Sequence, residues 1–181
     1  MQDNQRQTLW AYIAGVMDSD GCFMITRHNR KTLKRISTKL IKVNKWSATY
    51  TASAKLNQIQ REAIDLIVNE SGFGKIRLEG ARLSRPNSSP IYTWSIRKNE
   101  EIISFLEKVI PWLRIKKNRA EFLLEYCKTI KPCAHPHYGL SKEELDYREQ
   151  SYIKMRKFND NKVAATTKSP GHESACDSLI S

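Results

Sequence analysis

Residues 10–21, Trp-Ala-Tyr-Ile-Ala-Gly-Val-Met-Asp-Ser-Asp-Gly, admit few structures. Leu9, Ile13 and Val16 recur at helical spacing, as do Trp10, Ile13 and Met17, which predicts a short helix. Ala11, Gly15 and Ser19 add a second pattern, a small residue at every fourth position. Such a stripe lets another helix approach backbone to backbone, a packing best documented between transmembrane helices. This apolar run is too short, and too soon broken by charge, to span a bilayer. It ends in Asp18, Asp20 and Gly21, where the negative end of a helix dipole makes carboxylates unwelcome. Two such helices packed side by side would also bring two Asp20 carboxylates together, a cost that a divalent cation with oxygen ligands relieves. The competing reading is a capped helix turning into a strand, with both aspartates solvated. An EF-hand is excluded: with Asp18, Asp20 and Gly21 at the third, fifth and sixth loop positions, Val16 and Arg27 would stand where carboxylates are needed.

Charge narrows the partner. The net charge of +12 is unevenly spread, because residues 21–98 hold sixteen Lys/Arg against four Asp/Glu. A segment that basic calls for a polyanion, nucleic acid before membrane, since no amphipathic basic helix lies there. With 181 residues the chain is long enough for one domain with a real core. The N-terminus is polar from the outset and no transmembrane run follows. Cys22, Cys127, Cys133 and Cys176 are scattered without a C-x-x-C pair, so an intracellular, reduced protein is expected.

Along the chain, Cys22 to Arg30 alternates as a half-buried strand does, with Phe23 and Ile25 inward and Met24, Thr26, His28 and Arg30 outward. Residues 31–45 are basic and less regular, a flexible loop or strand extension whose Lys31, Lys34 and Arg35 could track phosphates. Residues 46–56 predict a strand with Ala48, Tyr50, Ala52, Ala54 and Leu56 on one face. Its other face carries Ser47, Thr49, Thr51, Ser53 and Lys55, side chains able to bond base edges or phosphates. After Asn57-Gln58, Ile59, Ala63, Ile64, Ile67 and Val68 predict a helix ending before Gly72-Phe73-Gly74. A third strand, Lys75 to Glu79, has Ile76 and Leu78 inward and Lys75, Arg77 and Glu79 outward. Turn residues 84–90 lead to a fourth strand, Ile91 to Arg97, with Tyr92, Trp94 and Ile96 inward and Thr93 and Ser95 outward.

Asn99 is read as the cap of a helix buried through Ile102, Phe105, Leu106 and Val109, interrupted at Pro111. A further helix has Phe122, Leu123, Tyr126 and Ile130 as its apolar face. The Cys133/His135/His137 cluster matches no common zinc spacing and reads as a proline-broken loop. A capping box, Ser141 with Glu144, starts a last helix that reaches about Phe158. The expected organisation is one domain over 1–158, its core at about 8–130 and its C-terminal helices at about 112–158, then a polar tail from 159 to 181. Four strands in two hairpins with interleaved helices make an α+β domain: one sheet face needs helix cover, and the other, polar and basic, suits the major groove of a duplex.

Ile13 to Gly21, I-A-G-V-M-D-S-D-G, resembles the LAGLIDADG motif of homing endonucleases, with aromatic Tyr12 before it and an apolar strand after. The P-W-L-R-I-K-K-N-R-A segment at 111–120 is similar to a proline, aromatic, leucine and basic cluster of the family's single-motif members. The resemblance covers most of residues 8–130. It implies an αββαββα domain with a saddle-shaped antiparallel sheet, to which extra C-terminal helices are added here. It further implies that the motif helix forms the interface between two such units and that its last acidic residue binds catalytic metal at the scissile phosphates. On this resemblance Asp20 and Gly21 are the metal contacts, Mg²⁺ (or Mn²⁺) is the cofactor, and Ca²⁺ binds without supporting cleavage. Gln58 belongs to the water network, with Arg61 as the accompanying basic residue, and Lys116 stabilises phosphate charge or polarises the attacking water. Asp18 is assigned to structure, at the helix end or its partner.

A single nonapeptide gives one Asp20 per chain, so cutting both strands of double-stranded DNA requires a homodimer and a palindromic or near-palindromic target. Ala11, Tyr12, Ala14, Gly15, Asp18 and Ser19 are the nominated contact. Two rivals stand beside this site-specific, intron-encoded type of nuclease. One is a member of the same fold that is catalytically silent on DNA, or a maturase acting on intron RNA. The other is a basic nucleic-acid binder of unrelated fold, favoured by charge alone.

Overall fold

The computed structural model describes residues 2–36, 39–79, 89–130 and 140–160. Helix α1, Gln2–Ser19, leads into strand β1, Gly21–Ile36, which pairs with β2, Lys39–Gln58. Helix α2, Glu62–Ser71, then precedes β3, Lys75–Glu79, and β4, Ile91–Ile96. Helix α3, Asn99–Val109, a 3₁₀ turn at Ile110–Trp112, α4, Lys117–Thr129, and α5, Lys142–Asp160, complete the chain. The strands form one antiparallel sheet in the order β1-β2-β4-β3, so each hairpin contributes one central and one edge strand.

The sheet buries the alternate side chains that strand parity selects. Phe23 stands opposite Ala54, Ile25 opposite Ala52, Ala54 opposite Ile96, and Leu56 opposite Trp94, and all seven are buried. Above them α3 buries Ile102, Phe105, Leu106 and Val109. An aromatic ladder ties sheet to helices: Trp94 lies 5.1 Å from Phe105 and Phe105 lies 5.9 Å from Trp10, in tilted and edge-on contacts. Through it, α1 is fixed over the sheet by Trp10, Ile13, Ala14 and Met17. Each large side chain buried there stabilises the fold by roughly 1.5–3 kcal/mol relative to exposure.

Two glycines make close approaches possible. A Cβ on Gly74 would sit 2.4 Å from Trp94 Nε1, whose N–H donates to the Phe73 carbonyl at 3.0 Å, and its φ of +91° favours glycine as well. A Cβ on Gly21 would lie 2.7 Å from the Met17 backbone, so the start of β1 tucks directly beneath the last turn of α1.

One open choice is decided and three expectations change. The strand-extension alternative holds for residues 31–45, because β1 runs to Ile36 and β2 starts at Lys39. Helix α2 begins only at Glu62, leaving Ile59 in the connection and 64% exposed, while β2 runs on through Asn57 and Gln58. Leu78 has inward parity but is 59% exposed, because β3 is an edge strand paired on one side only. Asn99 is the first helical residue of α3 and Lys98 stands at its cap position without a side-chain capping bond, its ammonium pairing instead with Glu101 at 2.9 Å, whereas Ser141 Oγ does accept the Glu144 N–H at 3.2 Å. The turn at 80–88, the Cys133/His135/His137 cluster and the tail from 161 lie outside the described residues.

Candidate active site

The last turn of α1 closes with the Asp20 N–H on the Val16 carbonyl at 3.0 Å, and Ser19 Oγ donates to the same oxygen at 3.0 Å. The next carbonyls have no helical partner and carry the negative end of the dipole. Lys116 answers them. Its ammonium donates to the carbonyls of Met17 at 3.0 Å, Ser19 at 3.0 Å and Gly21 at 2.7 Å.

Asp18 makes the reverse connection. Its Oδ2 accepts the N–H groups of Arg114 at 2.7 Å and Ile115 at 3.2 Å, and its Oδ1 accepts that of Lys116 at 2.8 Å. Burial raises the Asp18 carboxyl pKa, but the N–H groups of Arg114, Lys116 and Ile115 and the Lys116 charge outweigh it, and the net direction is down. Burial and the neighbouring Arg119 charge push the Lys116 ammonium down, against the opposing pull of Cys22, Asp18 and Asp20.

With the helix end held this way, Asp20 projects beyond it, exposed, at the junction of α1 and β1. Gln58, at the last position of β2, donates from Nε2 to Asp20 Oδ2 at 2.7 Å. The contact closes a gap of 38 residues and fixes one carboxylate oxygen. Among the described residues no group of three or more His, Cys, Asp or Glu side chains could hold a metal ion. Asp20 is one hard oxygen donor, and Mg²⁺ suits such a site: it keeps several waters and takes one or two carboxylates together with substrate phosphates.

Beside this centre lies the polar face of the sheet. Cys22, Lys55, Ser95 and Lys75 stand in register across all four strands, and Asn57, Thr93 and Arg77 form the next row. Farther along the long hairpin, Met24 is opposite Ser53, Thr26 opposite Thr51, and His28 opposite Thr49. Glu79, opposite Ile91, continues the short hairpin. Ser53 and Thr93 are buried in the floor of this face, and the Thr93 hydroxyl donates to Asn57 Oδ1 at 2.9 Å.

Residues 13–130 match the model of the LAGLIDADG endonuclease family. The chain belongs to that family. Its fold is similar to that of the homing endonuclease I-CvuI, solved in complex with the I-CreI target in the presence of Mg: 20% identity over 86% of this chain and 85% of that one, TM-score 0.64. It is also similar to the archaeal intron-encoded homing endonuclease I-Vdi141I complexed with DNA, with 17% identity, 87% and 86% coverage and a TM-score of 0.60. In I-GzeII, solved in complex with its DNA target, the likeness (17% identity, TM-score 0.51) covers 82% of this chain and 43% of that one. Among curated protein sequences none matches this one.

Within the LAGLIDADG frame the expected site residues separate into two groups. Asp20, Gln58 and Lys116 come together at the end of α1, and the outward strand residues share one face. Gly21, Arg61 and the Lys116 ammonium are engaged otherwise than expected. The Gly21 carbonyl, expected on the metal, points instead at the Lys116 ammonium, whose positive charge would repel a second cation there. The three N–H bonds of Lys116 are all directed at carbonyls, so in this conformation it caps the helix and has no proton left for a phosphate or water. Arg61 pairs with Asp65 at 3.0 Å and lies over the Tyr92 ring at 6.0 Å, so its guanidinium is engaged on α2 and β4.

On α1, Tyr12, Gly15 and Ser19 are exposed and Ala11 is half-buried, but Ala14 is fully buried in the chain's own core and leaves the nominated contact. Asp18 leaves it too, because its carboxylate is turned to the 114–116 backbone. Of Arg30, Lys31, Lys34 and Arg35 only the backbone, on β1, belongs to the described residues. Asn57 and Cys22 were missed by sequence reasoning as members of the polar face. Parity alone would have found both, since each lies two residues from an assigned one. Among the described residues no helix is long and apolar enough to cross a membrane.

Proposed function

We propose that the chain is a site-specific DNA endonuclease that acts as a homodimer and hydrolyses both strands of a palindromic or near-palindromic duplex with Mg²⁺ or Mn²⁺. The observation that carries this reading is the Asp20–Gln58 pair, an exposed carboxylate oriented by an amide where α1 meets the polar face of the sheet.

Each element then has a task. Over a floor that contains the buried Ser53 and Thr93, the residues Cys22/Lys55/Ser95/Lys75 and Asn57/Arg77, with Met24, Thr26, His28, Thr49 and Thr51 of the long hairpin, meet the duplex: Lys55, Lys75 and Arg77 contribute charge toward phosphates and the smaller polar side chains bond base edges. Asp20 is the residue that would hold the cation against the scissile phosphate. When bound, that cation supplies charge neutralisation and an activated water for in-line attack. Gln58 keeps Asp20 Oδ2 aimed and offers its remaining amide hydrogen-bonding capacity to a water. Lys116 and Asp18 hold the end of α1, so that the carboxylate emerges from a fixed point. The exposed stripe Tyr12, Gly15 and Ser19 is where a second copy would pack, bringing a second Asp20 to the other strand.

The test is a plasmid library incubated with Mg²⁺ and, separately, with Ca²⁺, comparing the wild type with Asp20→Asn. Binding in both ions, with cleavage confined to the wild type in Mg²⁺, supports the proposal. A wild type that binds intron RNA tightly and cuts no DNA selects the maturase reading and sinks this one.

A further inference from the structure

At the back of the long hairpin one carboxylate of helix α5 meets both strands. Arg27 on β1 and Tyr50 on β2 are direct cross-strand partners with inward parity. Glu149 bridges them: its Oε1 accepts from Arg27 Nη1 at 3.0 Å, and its Oε2 accepts the Tyr50 hydroxyl. The Tyr50 ring also meets the Tyr152 ring of α5 at 6.3 Å. Burial first, then the bond to Glu149, pushes the Tyr50 phenol up to about 12, so it remains a donor at any physiological pH.

Helix α5 is itself well seated. Ser151 and Met155 are buried, Arg119 Nη2 donates to the Phe158 carbonyl at 2.5 Å, and Phe122 packs against Phe158 at 5.8 Å. The hairpin is less well supported. Beside the anchor, a half-open cleft of about 380 Å³ is lined by Tyr50, Thr51, Ala52, Arg97, Ile103 and Arg148. Beyond the anchor the strands continue to Ile36 and Lys39, an arm of roughly 30 Å at the usual rise per residue. A small tilt at Arg27 and Tyr50 therefore becomes a displacement of several ångströms at the far end.

On the opposite face, the residues flanking the anchor are Thr26, His28, Thr49 and Thr51, all outward and all in the polar set. Resting on the DNA-endonuclease reading above, we infer that Glu149 is a positioning residue for target recognition: it sets the pitch of the β1–β2 arm, and so the fit of its outer face to the ends of each half-site, without touching DNA. Because Arg27 and Glu149 are both partly exposed, the ion pair adds little to global stability. Recognition and folding therefore respond differently to its loss.

The experiment has two arms, each comparing the wild type with Glu149→Gln, which keeps an acceptor for Tyr50, and Glu149→Ala, which does not. In the free protein, hydrogen exchange at the amides of 26–28 and 49–51 is expected to accelerate about tenfold or more in the alanine variant and less in the glutamine variant, with α3 unchanged. In the second arm, a randomised duplex library is selected with the wild type. The alanine variant is expected to lose about fivefold or more of the preference at the outer positions. On the selected duplex its kcat should stay within about twofold while KM rises.

Unchanged exchange, or acceleration across the whole chain, overturns the anchor. A preference lost evenly at all positions, or not lost at all, overturns the role in recognition. A wild type that selects no duplex defeats the nuclease reading and this role in recognition with it, while the exchange arm still decides whether Glu149 holds the hairpin.

Discussion

Asp18 and Lys116 each grip backbone at the other's position in the fold: the carboxylate accepts the Lys116 N–H at 2.8 Å, and the ammonium lies 3.0 Å from the carbonyls of Met17 and Ser19, the two residues flanking Asp18. The exchange joins the C-terminus of α1 to the N-terminus of α4 and inverts the local electrostatics. A helix end with two aspartates repels anions; a cation among its free carbonyls makes Asp20 tolerable there. The cost of placing a carboxylate at the wrong end of a helix is thus offset from a segment almost a hundred residues away.

If Lys116 acts mainly through these carbonyls, its removal is a stability event as well as a kinetic one. Lys116→Met strips three charge-assisted bonds from a half-buried position, a loss of about 2–3 kcal/mol. For a chain of this size that lowers Tm by roughly 4–12 °C. Cleavage falls too, because Asp20 loses its fixed origin. Calorimetry decides the matter: a variant that stops cutting with an unchanged Tm would show that the lysine serves the reaction and not the helix.

Asp18 gives the site a pH dependence with a definite sign. Its pKa is lowered in the folded state, so the stabilisation is fully present above the unfolded value of 3.8 and is lost as pH falls through the lower folded value. The wild type should therefore lose stability below about pH 4 more steeply than Asp18→Asn, and the variant should be less stable at neutral pH, where the charged acceptor matters. Denaturant unfolding of both proteins between acid and neutral pH measures the difference. Parallel curves would mean that the three backbone bonds carry no charge-dependent stability.

Much of this was written in local patterns. The face of α1 formed by Trp10, Ile13 and Met17, the stripe of α3, and the parity of β1 and β2 all follow from periods of 3.6 and 2, which a sequence displays directly. The Asp18–Lys116 exchange was not visible, because its partners are 98 residues apart and its acceptors are main-chain atoms that every residue possesses. Ala14 shows a different limit. A small residue suits both a close helix contact and a tight core, and only the position of α3 and the sheet shows that Ala14 belongs to the second. Leu78 failed because parity predicts a direction, whereas burial also needs something to cover that direction.

Gln58 separates orientation from stability. Its contact with Asp20 is exposed, so Gln58→Leu should leave Tm nearly unchanged. Without the amide the carboxylate is free to rotate, and kcat should fall by about 10–100-fold, the usual cost of removing a group that orients a metal-binding carboxylate. Single-turnover cleavage at saturating DNA is the measurement. A rate within a factor of about two of wild type would remove Gln58 from the site.

Gly15 offers the sharpest test of the dimer. A Cβ built there meets nothing within 4 Å and the position is exposed, so a side chain can be added in the single chain and raises helix propensity over glycine. Packed against a second α1, the same side chain would hold the two backbones apart. Gly15→Leu should therefore still fold yet sediment as a monomer, and it should nick or fail to cut where a dimer would cut both strands. The oligomeric state is what makes the experiment decisive: a folded monomer of Gly15→Leu supports the stripe as the seam, whereas a dimer of Gly15→Leu would place the subunit contact elsewhere on the molecule.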